Sequence, residues 1–262
     1  MKKIILTITL ALLPLTGFAA GGAHEPVLDK YTLDLNLGNK DSLRNGAKLF
    51  VNYCLSCHSA AYMRYNRMGR DLGLTDEQVA NNLMFVADFS DDEKPEGQPK
   101  KIGELMTVAL KTKDAKAYFG TAVPDLTVVS RSRGSEWLYD YLNTFYVDEK
   151  RNVGVNNVRF KNVGMPHVLW ELEGLKKPVY KTTTDSHGKE IKQIVDFEYI
   201  REGKMTPAEY QSAMNDLVNF MTYMGEPIRL ERQRTGIFVL FFLAILFVFA
   251  YMLKKEYWKD IH

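Results

Sequence analysis

The chain has 262 residues, of which 46% are hydrophobic and 25% charged, with a formal net charge of +2. That length allows one good core with appendages, and the composition shows neither low-complexity bias nor a fixed-period repeat. A near-neutral charge without a basic stripe interleaved with aromatics excludes a nucleic-acid partner. The 2 cysteines fall in one short motif, so none remains for a structural disulfide.

In chain order, Met1-Lys2-Lys3 and the apolar run from Ile4 to Leu15 predict a secretory signal over residues 1–19. Cleavage after Ala19 places Gly17 and Ala19 at the recognition positions, and Ala23 with Gly21 offers a second site. The competing reading, a retained N-terminal anchor, meets a run too short to span a bilayer. Residues 20–230 then form an exported domain.

His24 to Lys40 carries few regular signals and is expected to lie over the domain surface. Asp41 or Ser42 is placed to cap a helix whose apolar positions Leu43, Ala47, Phe50, Val51 and Cys54 recur at helical spacing. Gly46 inside it implies the close approach of another backbone. The helix leads into Cys54-Leu55-Ser56-Cys57-His58, the C-x-x-C-H attachment signature of a c-type haem. Two thiols three apart can each add across a porphyrin vinyl group, and the adjacent imidazole of His58 can then ligate the iron. A thiol–disulfide pair, half a zinc site and two unrelated core cysteines compete. Zinc wants ligands that a chain without a third cysteine does not supply as thiolates, and no βαβ context surrounds the pair.

Thr75-Asp76-Glu77-Gln78 predicts a helix through Phe85. Asp88, Asp91, Asp92, Glu93 and Glu96, against Lys94 alone, make an acidic loop over 88–96. It reads either as a solvated loop or as a patch steering a basic redox partner. Ile102 to Leu110 and Ser135 to Tyr146 read as further helices. Between Val179 and Tyr199, two β-branched runs around Asp185-Ser186-His187-Gly188 predict a hairpin. Thr206-Pro207-Ala208-Glu209 is a capping box opening a helix with the stripe Tyr210, Met214, Leu217, Met221 and Met224, stopped by Gly225 and Pro227.

A His-ligated haem built for electron transfer wants a second strong ligand, and a thioether raises its potential. Of the 11 methionines, Met63 and Met68 stand too near His58. Met84, Met106, Met214, Met221 and Met224 fall on helical stripes. Met165 lies in the stiff loop Asn162-Val163-Gly164-Met165-Pro166-His167 and is the assignment, with His167 as rival ligand. Arg131 and Arg133, after Pro124-Asp125-Leu126, are candidates for haem propionates or simply a surface pair. Trp137 and Tyr139 are candidates to pack on the ring edge.

Residues 231–262 predict a transmembrane anchor with a short tail. Gly236 to Leu253 is uncharged and almost wholly apolar, close to the ~20 residues a bilayer needs. Arg232 and Arg234 precede it, Lys254 and Lys255 follow, and Tyr257 and Trp258 suit the interface. The N-terminal signal places the body in the periplasm and the C-terminus in the cytoplasm of a bacterial inner membrane.

These pieces together resemble the cytochrome c1 family, the haem subunit of the ubiquinol–cytochrome c reductase (cytochrome bc1 complex), of proteobacterial type. The resemblance rests on Cys54-Leu55-Ser56-Cys57-His58, Asp114-Ala115-Lys116 with Tyr118-Phe119-Gly120, and Pro124-Asp125-Leu126. It continues through Arg131-Ser132-Arg133-Gly134, Gly164-Met165-Pro166 and the terminal anchor. It implies a mainly α c-type cytochrome domain with loop insertions, a small β-hairpin and one C-terminal transmembrane helix. It implies one haem c bound through Cys54 and Cys57, His58 and Met165 as axial ligands, and Arg133 on a propionate. The implied partners are a cytochrome b, a Rieske iron–sulfur protein and a soluble c-type cytochrome as acceptor. The implied work is one-electron transfer, with no substrate chemistry in this subunit. His167 directly after Pro166 departs from relatives with more proline there, and the disulfide of some bacterial relatives has no cysteines here. A stand-alone membrane-tethered monohaem cytochrome feeding an oxidase is the alternative, and a periplasmic thiol–disulfide or zinc protein is a third.

Overall fold

The computed structural model describes residues 28, 30–86, 100–108, 110, 112–184 and 190–260. The signal, the acidic loop 88–96 and the hairpin turn 185–188 lie outside the described residues. The first helix, α1 (Lys40–Leu49), is capped by Asn39 rather than by Asp41 or Ser42: Asn39 Oδ1 accepts from the Asp41 and Ser42 amides at 3.1 and 3.2 Å. Asp41 instead sits in the first turn, where the helix dipole favours it. The chain then widens into a single π-helical turn, Phe50–Cys54.

Strand β1 (Ala60–Arg64), α2 (Tyr65–Leu72) and α3 (Asp76–Leu83) follow. Thr75 and Gln78 close a capping box on α3, which starts where expected and ends two residues before Phe85. Among the described residues of 102–110 the expected helix is absent. In its place β2 (Leu105–Met106) pairs antiparallel with β1. The carbonyls a helix would need are taken from elsewhere: the Asn66 amide bonds Ile102 O at 2.8 Å, and Lys100 Nζ bonds Thr107 O at 2.7 Å.

Helices α4 (Thr112–Phe119), α5 (Val129–Arg133) and α6 (Ser135–Asn143) come next. The last stops three residues short of Tyr146, because its final carbonyls are capped by side chains. Thr144 Oγ1 bonds Asp140 O at 2.7 Å, Tyr210 Oη bonds Leu142 O at 2.9 Å, and Lys176 Nζ bonds Asn143 O at 2.7 Å. Phe145 and Tyr146 join β3 (Phe145–Val147), which pairs with β4 (Val155–Asn157). A short α7 (Trp170–Glu173) leads into the hairpin of β5 (Gly174–Thr184) and β6 (Glu190–Glu202), longer at both ends than expected and carrying two register shifts.

Helix α8 (Pro207–Gly225) crosses α1 and closes the core. A Cβ at Gly46 would stand 2.1 Å from the Asp216 carbonyl oxygen and 2.6 Å from Phe220 Cβ, so the backbones meet where the sequence places a glycine. Ser42 Oγ donates to Asp216 at 2.6 Å across the same crossing. Phe50, Leu55, Met68, Met214, Leu217 and Phe220 are wholly buried around it, each stabilising by about 1.5–3 kcal/mol on transfer from water. A smaller cluster of Phe145, Val155 and Val163 packs against Tyr141 and Met165. Finally α9 (Arg229–Tyr257) contains the apolar run and buries none of its residues. It is long and apolar enough to cross a membrane. The chain is thus mostly helix, with small hairpins and one apolar C-terminal helix.

Candidate functional site

The π-helical turn delivers the motif. The amides of Cys57 and His58 both bond to the Cys54 carbonyl, at 3.1 and 2.9 Å, so the second cysteine and the histidine fold back over the first. Both cysteines are free. Cys54 is buried in the main core, and burial beside Cys57 pushes its thiol up to about 12, holding it protonated.

Cys57 and His58 line a cavity of about 340 Å³, within the ~300–1,000 Å³ typical of cofactor sites. Its walls are almost entirely apolar: Phe119 from α4, Val123 and Pro124, then Phe160, Val163 and Met165 from the loop after β4. The segment Pro124-Asp125-Leu126 is bound to the residues following the motif. Asp125 accepts from the Ala61 and Thr127 amides at 2.7 and 2.8 Å, and the Leu126 amide bonds Ser59 O at 2.8 Å. This holds the Pro124 carbonyl 2.8 Å from His58 Nδ1. A carbonyl only accepts, so Nδ1 carries the proton, and Nε2 is left with a lone pair and no hydrogen-bond partner among the described residues. Burial lowers the His58 pKa, against the opposing pull of Pro124 and Asp125, and so favours the neutral ring that metals require.

Met165 reaches the same cavity from a loop shaped by two buried asparagines. Asn157 Oδ1 accepts from the Arg159 and Phe160 amides at 2.9 and 3.0 Å, and Asn156 Oδ1 accepts from the Asn162 amide at 2.8 Å. Asn162 adopts φ 62°, which its short polar side chain tolerates. The Met165 sulfur accepts a hydrogen bond from Tyr141 Oη at 3.3 Å. Cys54 itself does not line the cavity and sits just behind Cys57 in the core, yet the chemistry of the set fits a haem c: two thiols three residues apart, and a fixed neutral imidazole and a thioether on one apolar chamber.

The other expected residues fall elsewhere. His167 does not line the cavity; it is buried, with Nε2 2.9 Å from Glu173 Oε2 and its ring stacked on Phe145 at 4.9 Å. Glu173 also pairs with the buried Lys176, whose pKa is lowered by burial and partly restored by that carboxylate. Arg131 and Arg133 are exposed on α5 and do not line the cavity; the Arg133 guanidinium lies over the Trp137 ring at 5.3 Å. Of the aromatics expected at the ring edge, Tyr139 turns to α8, where its hydroxyl bonds Gln211 O at 3.2 Å, and Trp137 stacks on Tyr141. Tyr141 is the aromatic of α6 that lines the cavity. The spacing Trp137, Tyr141, Phe145 was the available signal for it. Among the described residues no three His, Cys, Asp or Glu side chains gather as a metal site, so the zinc reading finds no further ligands.

Residues 34–261 match the Cytochrome C1 family. The chain is 44% identical over its full length to cytochrome c1 of Allochromatium vinosum, and the match covers all of that protein. It is 39% identical, also over its full length and 99% of the relative, to the ammonia monooxygenase gamma subunit of Nitrosomonas europaea. Cytochrome c1 of Cereibacter sphaeroides is 24% identical over the whole chain and 97% of the relative. With a family match spanning most of its length and a cavity that brings the C-x-x-C-H motif to a loop methionine, the chain belongs to the cytochrome c1 family.

Proposed function

We propose that the protein passes single electrons from a Rieske iron–sulfur protein, through a His/Met-ligated haem c, to a soluble c-type cytochrome. As a member of its family it is a membrane-anchored haem electron carrier of the cytochrome bc1 complex. Cys54 and Cys57 would hold the porphyrin by thioethers, and His58 Nε2 and the Met165 sulfur would ligate its iron. The haem, when bound, would supply a reversible one-electron couple.

The observation that carries the ligand assignment is that His58 and Met165 line one apolar cavity, while His167 is engaged with Glu173 and Phe145. The apolar walls exclude water, which keeps reorganisation small as charge changes. Arg131 and Arg133 are the cations proposed for the haem carboxylates, and cytochrome b is the further partner in the membrane. The haem domain would face the periplasm, with the tail after α9 in the cytoplasm.

In Met165→Leu, covalent haem is expected to survive on a denaturing gel, while the Met–iron optical band disappears and the reduction potential falls. Persistence of that band would mean that another residue ligates the iron. Co-purification with cytochrome b and an iron–sulfur subunit tests the complex; a haem protein that always isolates alone would be a free-standing carrier.

A further inference from the structure

Trp137, Tyr141 and Phe145 follow one another at intervals of four, the spacing that stacks side chains along a helix face. The rings of Trp137 and Tyr141 lie nearly parallel, 5.2 Å apart at 9°, and Phe145 meets the edge of Tyr141 at 5.1 Å and 72°. The Tyr141 carbonyl accepts from Asn157 Nδ2 at 2.8 Å. The tyrosine is therefore held by ring face, ring edge and backbone, and its hydroxyl has one partner among the described residues: the Met165 sulfur, at 3.3 Å. A thioether is a weak acceptor, and a phenol placed only to satisfy itself would do better against a carbonyl.

Sulfur has two lone pairs. The hydroxyl engages one and leaves the other for a metal, while drawing electron density off the sulfur. Ferric iron, with the higher charge, relies on that density more than ferrous iron does, so the hydrogen bond favours the reduced state. We infer that Tyr141 is a positioning residue that orients the Met165 sulfur and raises the reduction potential of the haem. The inference rests on Met165 being the axial ligand.

The test uses the full-length chain matured with haem in its membrane complex. Tyr141→Phe removes one oxygen and keeps every ring contact. Covalent haem and the Met–iron band are expected to persist. At a fixed potential the ferrous-to-ferric ratio should fall about fivefold, the factor that one hydrogen bond of ordinary net strength carries. For a one-electron couple that is a drop of about 40 mV at ~59 mV per tenfold. Placing 3-fluorotyrosine at 141, a stronger donor of nearly equal size, should raise the midpoint. Tyr139→Phe removes the same oxygen from a ring that does not line the cavity, where it bonds Gln211 O, and should leave the midpoint unchanged. An unshifted midpoint in Tyr141→Phe with the band intact overturns the inference. So does an unshifted midpoint with the fluorinated residue, or an equal fall in Tyr139→Phe. If the unaltered protein lacks the Met–iron band, or Met165→Leu keeps it, the ligand assignment itself has failed, and this inference with it.

Discussion

Replacing Gly46 with alanine tests whether the α1–α8 crossing sets the geometry of the haem motif. The new Cβ would lie 2.1 Å from Asp216 O and 2.6 Å from Phe220 Cβ, where ordinary contact begins near 3.4 Å, so the helices must part by more than 1 Å. Two effects oppose each other. Alanine favours the helix by about 0.8–1 kcal/mol, while overpacking a tight core costs about 1–3 kcal/mol. The obstacle is backbone rather than a flexible side chain, so the cost sits at or above the top of that range and a net loss of about 2 kcal/mol is expected. For a domain of this size that lowers Tm by roughly 4–8 °C. Phe50 opens the π-helical turn directly after α1, so tilting α1 also displaces Cys54, Cys57 and His58. The assay is thermal unfolding of the detergent-solubilised haem protein by circular dichroism, beside its haem content. An unchanged or raised Tm would refute the reasoning, since only the propensity gain would then be present.

Asn157→Ala strips acceptors from two backbone amides at a fully buried site and should cost about 2–3 kcal/mol; the share of molecules with an intact Met–iron band should fall with it. Lys176→Met removes the ammonium beside the buried Glu173, leaving it only His167, and should destabilise by about 3 kcal/mol, whereas Lys176→Met with Glu173→Gln should recover more than half of that in a double-mutant cycle. Because burial depresses the Lys176 pKa, the unfolded chain binds more protons between the folded and unfolded values. Stability should therefore rise with pH across that window, and Lys176→Met should flatten the rise in pH-dependent melts. Ending the chain at Ile228 should release a soluble haem domain on cell fractionation, because α9 contributes no buried residue.

What the sequence made legible were the features whose cause is local. Gly46 announced a close approach, Thr206 with Glu209 announced a helix start, and Gly164-Met165-Pro166 announced a non-helical loop; all three are present. The illegible features have distant causes. Ile102 to Leu110 has helical spacing, but its carbonyls are claimed by Lys100 and by the start of α2. His167 resembled a ligand because its partner Glu173 lies across the turn of α7, beyond any short motif. Nothing local in the sequence marks Asn156 and Asn157 as the side chains that carry the loop holding Met165. Tyr139 and Tyr141 look alike in sequence, and only the phase of α6 relative to α8 sends Tyr139 to Gln211 and Tyr141 to the cavity.

The ribbon of β5 and β6 has a further consequence. Its strands run 11 and 13 residues, and each pairs only with the other among the described residues, so both outer borders present unpaired backbone groups. Borders that long invite a stranger's strand to zip on. Here Pro178 withholds a donor, two register shifts interrupt the rail, and the exposed charges of Lys177, Glu198, Lys181 and Lys192 stud it. An arm so armoured can project from its domain without recruiting its own copies.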